Sequence, residues 1–249
     1  MKTSNNTVLI TGGGTGIGFC IAEELVKSGN EVIICGRRED KLKEAKGKLR
    51  QISTKVCDVS NPKERAELFS WVTSKFKGIN VLVNNAGVQR MIDFRKGIDE
   101  LAKHENEVDI NLTATIQLSA YFIPVLMQRE EAAIVNVSSG LAFIPLAIMP
   151  IYCATKAALH SFSISLRHQL RDTPVKVFEV IPPTVDTQLD KGTRDLRNMT
   201  YRGIPPADVA TAMMKSLRED EYECLVGQAK NLMEASRTNF EEQFGRMNH

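Results

Sequence analysis

Three side chains within one stretch of eighteen residues, Ser139 to Lys156 (SGLAFIPLAIMPIYCATK), have the makings of an acid/base centre. Ser139 closes an apolar run, a Pro-broken apolar loop follows, and Tyr152 and Lys156 stand at i and i+4. On a helix that spacing places a phenol and an ammonium on one face, one turn apart. A free phenol titrates near ~10, too high for a base at neutral pH. A positive charge close by stabilises the phenolate and brings that value down. Such a pair moves protons on a reacting oxygen and calls for a hydride carrier.

The N-terminus offers a site for one. The apolar run Thr7–Ile10 leads into Thr11-Gly12-Gly13-Gly14-Thr15-Gly16-Ile17-Gly18 and then a helical pattern. The spacing is GxxxGxG, on Gly12, Gly16 and Gly18, rather than GxGxxG. Glycines allow a tight turn and the close approach of a pyrophosphate, whose charge the following helix N-terminus favours. A ribose with a free 2′-hydroxyl calls for an acid at the end of the second strand. This strand ends Cys35-Gly36-Arg37-Arg38 instead. Guanidinium groups suit a 2′-phosphate, so NADP(H) is expected over NAD(H). The plainer alternative is a pair of solvated charges at a helix entry. Asp58, with Val59 beside it, is an acceptor for the adenine amino group or else a cap ahead of Pro62, where Ser60 and Asn61 cap equally well. In Asn84-Asn85-Ala86-Gly87 the amides can tie strand ends together, and the small Ala86 and Gly87 admit the cofactor.

The elements that must position these residues alternate. Strand patterns fall at Thr7–Ile10, Glu31–Cys35, Thr54–Cys57, Asn80–Val83, Ala133–Val137 and Val175–Ile181, with a short seventh at Cys224–Val226. Helical patterns fall at Ile17–Ser28, Asp40–Arg50, Pro62–Phe76, Glu105–Arg129, Ile151–Arg171 and Ala207–Glu219. Short, nearly continuous apolar strands between amphipathic helices mean an α/β fold, a doubly wound parallel sheet of six to seven strands covered on both faces. Ligands in such a sheet sit at the carboxyl ends of the strands. Five segments just after strands carry the unusual residues, so they converge on one edge. No repeat or linker divides the chain, and one domain over residues 1–249 is expected.

Composition narrows the classes. With 32 basic and 30 acidic residues the formal net charge is +2, which gives no field for nucleic acid or an acidic membrane. The five cysteines are scattered and lack CxxC pairing, as reduced thiols in the cytoplasm would be; Cys153 reads as a small buried side chain. His104, His160, His168 and His249 fall into no metal spacing. The most apolar run, Leu141–Ile151, holds Pro145 and Pro150 and is too short to cross a bilayer. A serine hydrolase built on Ser139 would need a GxSxG elbow, and Val-Ser-Ser-Gly-Leu is not one. A catalytically silent dinucleotide-binding regulator is the other alternative, although it would have no use for Tyr152 and Lys156.

TGGGTGIG, the NNAG of residues 84–87, Asn111, Ser139 and Tyr152-x-x-x-Lys156 come in the order of the short-chain dehydrogenase/reductase family, which the chain resembles from Thr7 to about Thr187. The C-terminal third resembles bacterial oxidoreductases named for an association with cell-wall D-alanylation. The resemblance implies a Rossmann-type sheet, a nicotinamide dinucleotide and reversible carbonyl reduction, and at Arg37 it is to the NADP-preferring members. It implies Tyr152 as general acid/base, Lys156 supporting it and holding the ribose, and Ser139 on the carbonyl oxygen. It also implies that Asn111 binds a water relaying protons to Lys156. Cofactor contacts carried over in this way include Thr15, Ile17, Pro182, Val185 and Thr187.

Two features depart from the family pattern. Pro182-Pro183 stands where Pro-Gly is usual, and the second proline fixes φ and removes an N–H. A polar helical tail, about residues 228–246, replaces the usual glycine-rich ending. The apolar loop Leu141–Pro150 predicts a small hydrophobic carbonyl or alcohol substrate. The charged segment 188–204, with Asp190, Lys191, Arg194, Asp195 and Arg197, reads as a lid. The helices of 105–129 and 151–171 carry wide apolar faces, and the resemblance, in whose family these helices pair across a two-fold axis, implies a homodimer or homotetramer. The tail is expected either to support that contact or to lie solvated.

Overall fold

The computed structural model describes residues 1–102, 106–189 and 203–248. Its strands are β1 (Thr7–Thr11), β2 (Glu31–Gly36), β3 (Ser53–Val56), β4 (Ile79–Asn84), β5 (Ala132–Val137), β6 (Val175–Ile181) and β7 (Glu223–Leu225). They form one sheet in the order β3-β2-β1-β4-β5-β6-β7, every pair parallel. The order reverses beside β1, the place where a doubly wound sheet opens a crevice.

Period-two alternation explains the layering. Val8 and Ile10 of β1 point into one apolar layer with Ile21 and Leu25 of α1 (Gly16–Lys27) and Met213 and Leu217 of α7 (Pro206–Glu219). Leu9 points the other way, into a layer with Leu68 of α3 (Pro62–Lys75), Phe122 of α5 (Ala114–Leu126) and Leu166 of α6 (Pro150–Gln169). β5 is buried along its whole length because helices cover both of its faces. The remaining α-helices among the described residues are α2 (Glu39–Lys48), α4 (Ile98–Ala102), α8 (Ala229–Thr238) and α9 (Phe240–Asn248).

Helix starts follow local chemistry. Asn61 caps α3, accepting from the backbone N–H of Lys63 and Glu64, with Pro62 in the first turn. Asp58 is therefore not the cap; its carboxylate accepts from Ser60 N and Oγ at 2.9 and 2.7 Å. Pro150 likewise occupies the first turn of α6, where its missing N–H costs nothing.

Three expectations need correction. The helix expected over 105–129 is present from 107 but contains a π turn, Asp109–Thr113, before α5, which ends at Leu126; residue 105 lies outside the described residues. The tail is two helices, broken at Asn239 between α8 and α9. Neither is free in solvent: Asn248 at the end of α9 grips the loop before α6, accepting from Ala147 N at 2.6 Å and donating to Pro145 O at 3.1 Å. Of the charged segment read as a lid, residues 190–202 lie outside the described residues, as do His104 and His249.

Candidate active site

A cleft of about 1100 Å³ opens over the carboxyl ends of the strands. Its floor on one side is the turn between β1 and α1. Gly12 and Gly16 there have φ of 64° and 56°, the left-handed region that glycine adopts without strain. Gly18 does not line the cleft. A Cβ on it would stand 2.5 Å from both Gly12 O and Asn85 Nδ2, so its bareness lets α1 close against the strand ends. Gly12, Thr15, Gly16 and Ile17 are on the wall, as are Asn85, Ala86 and Gly87 after β4. Asn85 Nδ2 donates to Thr11 O at 2.9 Å and Gly12 O at 3.2 Å, and Asn84 Nδ2 donates to Asn136 Oδ1 at 2.9 Å. These amides tie β1, β4 and β5 together where the sequence suggests they should.

Past the end of β2 the wall carries Arg37, Arg38 and Lys41, and past β3 it carries Asp58 and Val59. Arg38 donates to Thr15 Oγ1 at 3.1 Å and to Gln188 Oε1 at 3.4 Å, bridging the glycine turn to the segment after β6. Pro182, Val185 and Thr187 line the opposite rim. The Pro182 carbonyl accepts from Gly140 N at 2.9 Å, and the Pro183 ring lies near Gly227, at the foot of the tail.

The acid/base candidates meet in the middle. Tyr152 and Lys156, on one face of α6, are each 5% exposed, and Lys156 Nζ lies 5.6 Å from the centre of the Tyr152 ring. Lys156 donates to Val137 O at 2.8 Å. Burial pulls its amine down to about 8, and the Glu179 carboxylate pushes the other way. Ser139 extends from β5 and caps a short turn, its Oγ accepting from Leu141 N at 3.1 Å. The buried hydroxyl of Ser138, beside it, has no partner among the described residues.

Asn111 stands inside the π turn, behind the cleft wall rather than on it. Its side chain donates to Val88 O at 2.9 Å and Thr155 Oγ1 at 3.1 Å and accepts from Val88 N at 2.8 Å. π turns recur at functional sites because they shift one residue out of the helical ladder. Cys153 is buried, its thiol pushed up to about 11 by burial.

A profile of short chain dehydrogenases matches residues 6–198, most of the chain and all the elements that build this cleft up to β6. The chain belongs to the short chain dehydrogenase family. It is therefore an NAD(P)-dependent oxidoreductase by descent. It is 51% identical over 248 residues to the uncharacterized oxidoreductase DltE of Bacillus subtilis (strain 168), covering 100% of this chain and 98% of that one. A short chain dehydrogenase/reductase from Burkholderia phymatum, solved in complex with NAD, has the same fold, with a TM-score of 0.86 at 22% identity over 100% and 97% of the two chains. One from Burkholderia cenocepacia, in complex with NADP, gives 0.83 at 24% identity over 99% of each.

Sequence reasoning missed one wall of this short chain dehydrogenase cleft. Asn231, Leu232 and Ala235 of α8 and Gln243, Arg246 and Met247 of α9 all line it. Their spacing, i, i+1, i+4 and i, i+3, i+4, marks one face of each helix and was readable. What that face packs against was not. Gly140 shows the fit: a Cβ there would stand 2.9 Å from Leu232 Cδ1.

Proposed function

We propose that the protein is an NADP(H)-dependent oxidoreductase that interconverts a carbonyl and a secondary alcohol on a small hydrophobic substrate. One observation carries the reading. Ser139, Tyr152 and Lys156, each less than a tenth exposed, line the same cleft as the glycine turn. A nicotinamide dinucleotide, when bound, supplies the hydride.

The residues present fit that group. The left-handed glycines clear room for a pyrophosphate before the α1 N-terminus. Of three N–H donors on Lys156, one is spent on Val137 O, and two remain for ribose hydroxyls. Arg37, Arg38 and Lys41 supply positive charge beside the end of β2, where glycine stands in place of an acid. That set favours a 2′-phosphate and hence NADP(H). Asp58 and Val59 face the adenine, and Thr187 and Val185 the carboxamide.

Tyr152 gives its proton to the reacting oxygen as general acid and takes it back as general base in the reverse direction. The Lys156 ammonium favours the phenolate. Ser139 has its acceptor side committed to Leu141 N, so its hydroxyl proton is left to donate to the substrate oxygen and to stabilise charge developing there. The Asn111 side chain is committed to Val88 and Thr155, which fixes the residue behind Lys156, where its part in the reading is to bind a water that relays protons to that amine. Leu141, Leu146 and Met149 make the substrate side apolar. The whole chain is read as one catalytic domain in a reducing, cytoplasmic setting, consistent with free thiols at all five cysteines. A homodimer or homotetramer through α5 and α6 accounts for the outward Ile116, Tyr121 and Ile164.

NADPH consumption over a panel of aldehydes and ketones tests the reading. The wild type should turn over an apolar carbonyl. Tyr152→Phe should bind NADPH within about twofold of wild type and lose about 10²–10⁴-fold in turnover. A Phe variant that keeps most of its turnover ends the assignment.

A further inference from the structure

Four neighbouring strands carry a polar residue at the same register: Asn84 on β4, Asn136 on β5, Glu179 on β6 and Glu223 on β7. The first three are almost wholly buried, in strands whose other buried residues are apolar. The asparagines are linked in sequence, Asn84 Nδ2 donating to Asn136 Oδ1 and Asn136 Nδ2 to Ser163 Oγ at 3.0 Å, and Asn84 Oδ1, on a neutral amide, is left without a partner among the described residues. Glu179 differs. One of its oxygens lies 2.8 Å from His160 Nδ1, and the other has no hydrogen-bond partner among the described residues. A carboxylate at 0% exposure with an idle oxygen is a costly core residue, for an apolar side chain of similar volume there is neutral or stabilising. Its charge must be answered nearby.

The answering charges sit on α6. Lys156 and His160 are i and i+4 on the face turned to this register. Lys156 Nζ is fixed on Val137 O, and Val137 is the residue after Asn136, which pairs with Glu179. We propose that Glu179 is a positioning residue for the acid/base pair: from behind the sheet edge it holds the buried Lys156 amine in its charged form, and His160 modulates that hold from the solvent side. This rests on the reading of Tyr152 and Lys156 given above.

The surrounding charges leave Glu179 to that task. Glu223, beside it on β7, is paired with Arg167 of α6 at 3.2 Å. Asn136 on the other side is neutral, and the Phe143 ring packs edge-on against His160 at 4.9 Å. Burial lowers the Lys156 amine, and Glu179 is the charge that opposes it. His160 is raised, first by its hydrogen bond to Glu179. As pH falls and the imidazole charges, a second cation competes for the carboxylate, and its support of Lys156 weakens.

Glu179→Gln keeps an acceptor for His160 and removes the charge. Two readouts decide. In ligand-free protein, NMR titrations of the His160 Cε1 proton and the Lys156 Cε carbon should both move to lower pH in the variant, the lysine by about one unit. In the pH profile of kcat/KM with NADPH, the alkaline limb should move down with the lysine, while Glu179→Asp, which keeps the charge, should recover most of it. Superimposable titrations and profiles in wild type and Glu179→Gln overturn the proposal. If the Gln variant does not fold, His160→Gln decides. With no imidazole to share the carboxylate, the Lys156 Cε titration should move to higher pH than in wild type, and an unchanged Lys156 titration overturns the proposal. A wild type that turns over nothing strikes the acid/base reading instead, and the Lys156 titration still shows whether Glu179 holds the amine.

Discussion

The cleft has two halves built by different rules. On the glycine-turn side the wall is backbone at strand ends, and its shape depends on which residues lack a side chain. On the tail side it is the faces of α8 and α9, brought back across the sheet edge more than eighty residues after Ser139. The first half is local, since Gly12, Gly16 and Gly18 act within one turn and Asn85 reaches only the neighbouring strand. The second is tertiary and hangs on a few contacts, Leu232 against Gly140 and Asn248 against the loop at 145–147. Local rules leave a spacing in the sequence. Tertiary docking leaves only an amphipathic pattern with no address.

If the contrast is right, one methyl group on the local side should do the greater damage. In Gly18→Ala the new Cβ meets the backbone oxygen of Gly12, which cannot swing away as a side-chain tip can. Overpacking of this kind costs about 1–3 kcal/mol, a drop in Tm of roughly 2–12 °C for a chain of this size. Dinucleotide affinity should fall by about tenfold or more with it, since the turn itself must open. Thermal unfolding and a fluorescence titration with NADPH check both. A variant with wild-type Tm and affinity would break the claim that bare backbone shapes this half.

Arg37→Ala probes the same half without disturbing its backbone. The guanidinium is exposed at the end of β2, so the fold should not respond. A charge-assisted contact to a 2′-phosphate contributes about 1.5 kcal/mol or more, so NADPH should bind about tenfold more weakly. NADH, lacking that phosphate, should bind as before. Parallel titrations of both nucleotides separate this from the plainer role of a solvated helix-entry charge, for which neither affinity would change.

The sheet was legible to within a residue or two at most boundaries, because fully buried parallel strands are short apolar runs and little else. The motif residues were legible for the reason given above, with Gly18 displaced from the cleft wall to the packing beneath it. Three things were not. The π turn at Asp109–Thr113 continues a helical pattern without a break in periodicity, so nothing in the residue types marks where the ladder shifts. Glu179 lies inside Val175–Ile181, a run that reads as strand with or without it, and only the register reveals His160 and Lys156 beside it. The break at Asn239 was visible as a helix-poor residue, but not that it folds α9 back over the cleft.

The tail side should be the gentler to disturb, and Asn248 is where to press. Its amide makes two hydrogen bonds to the backbone of the loop that leads into Tyr152, and a third to Phe244 O at 2.9 Å within its own helix. Alanine removes the clasp while leaving the stacked Phe240 and Phe244 rings, 5.7 Å apart, to hold α9 together. Losing about 1 kcal/mol of docking should raise KM for an apolar carbonyl about fivefold. Dinucleotide affinity and the Tm should change little, because neither the glycine turn nor the two core layers touch this contact. A rise in KM with an unchanged NADPH Kd would establish that the two halves answer to separate parts of the chain. Equal losses in both would mean that the tail braces the whole cleft, and the division drawn between a local half and a docked half would fail.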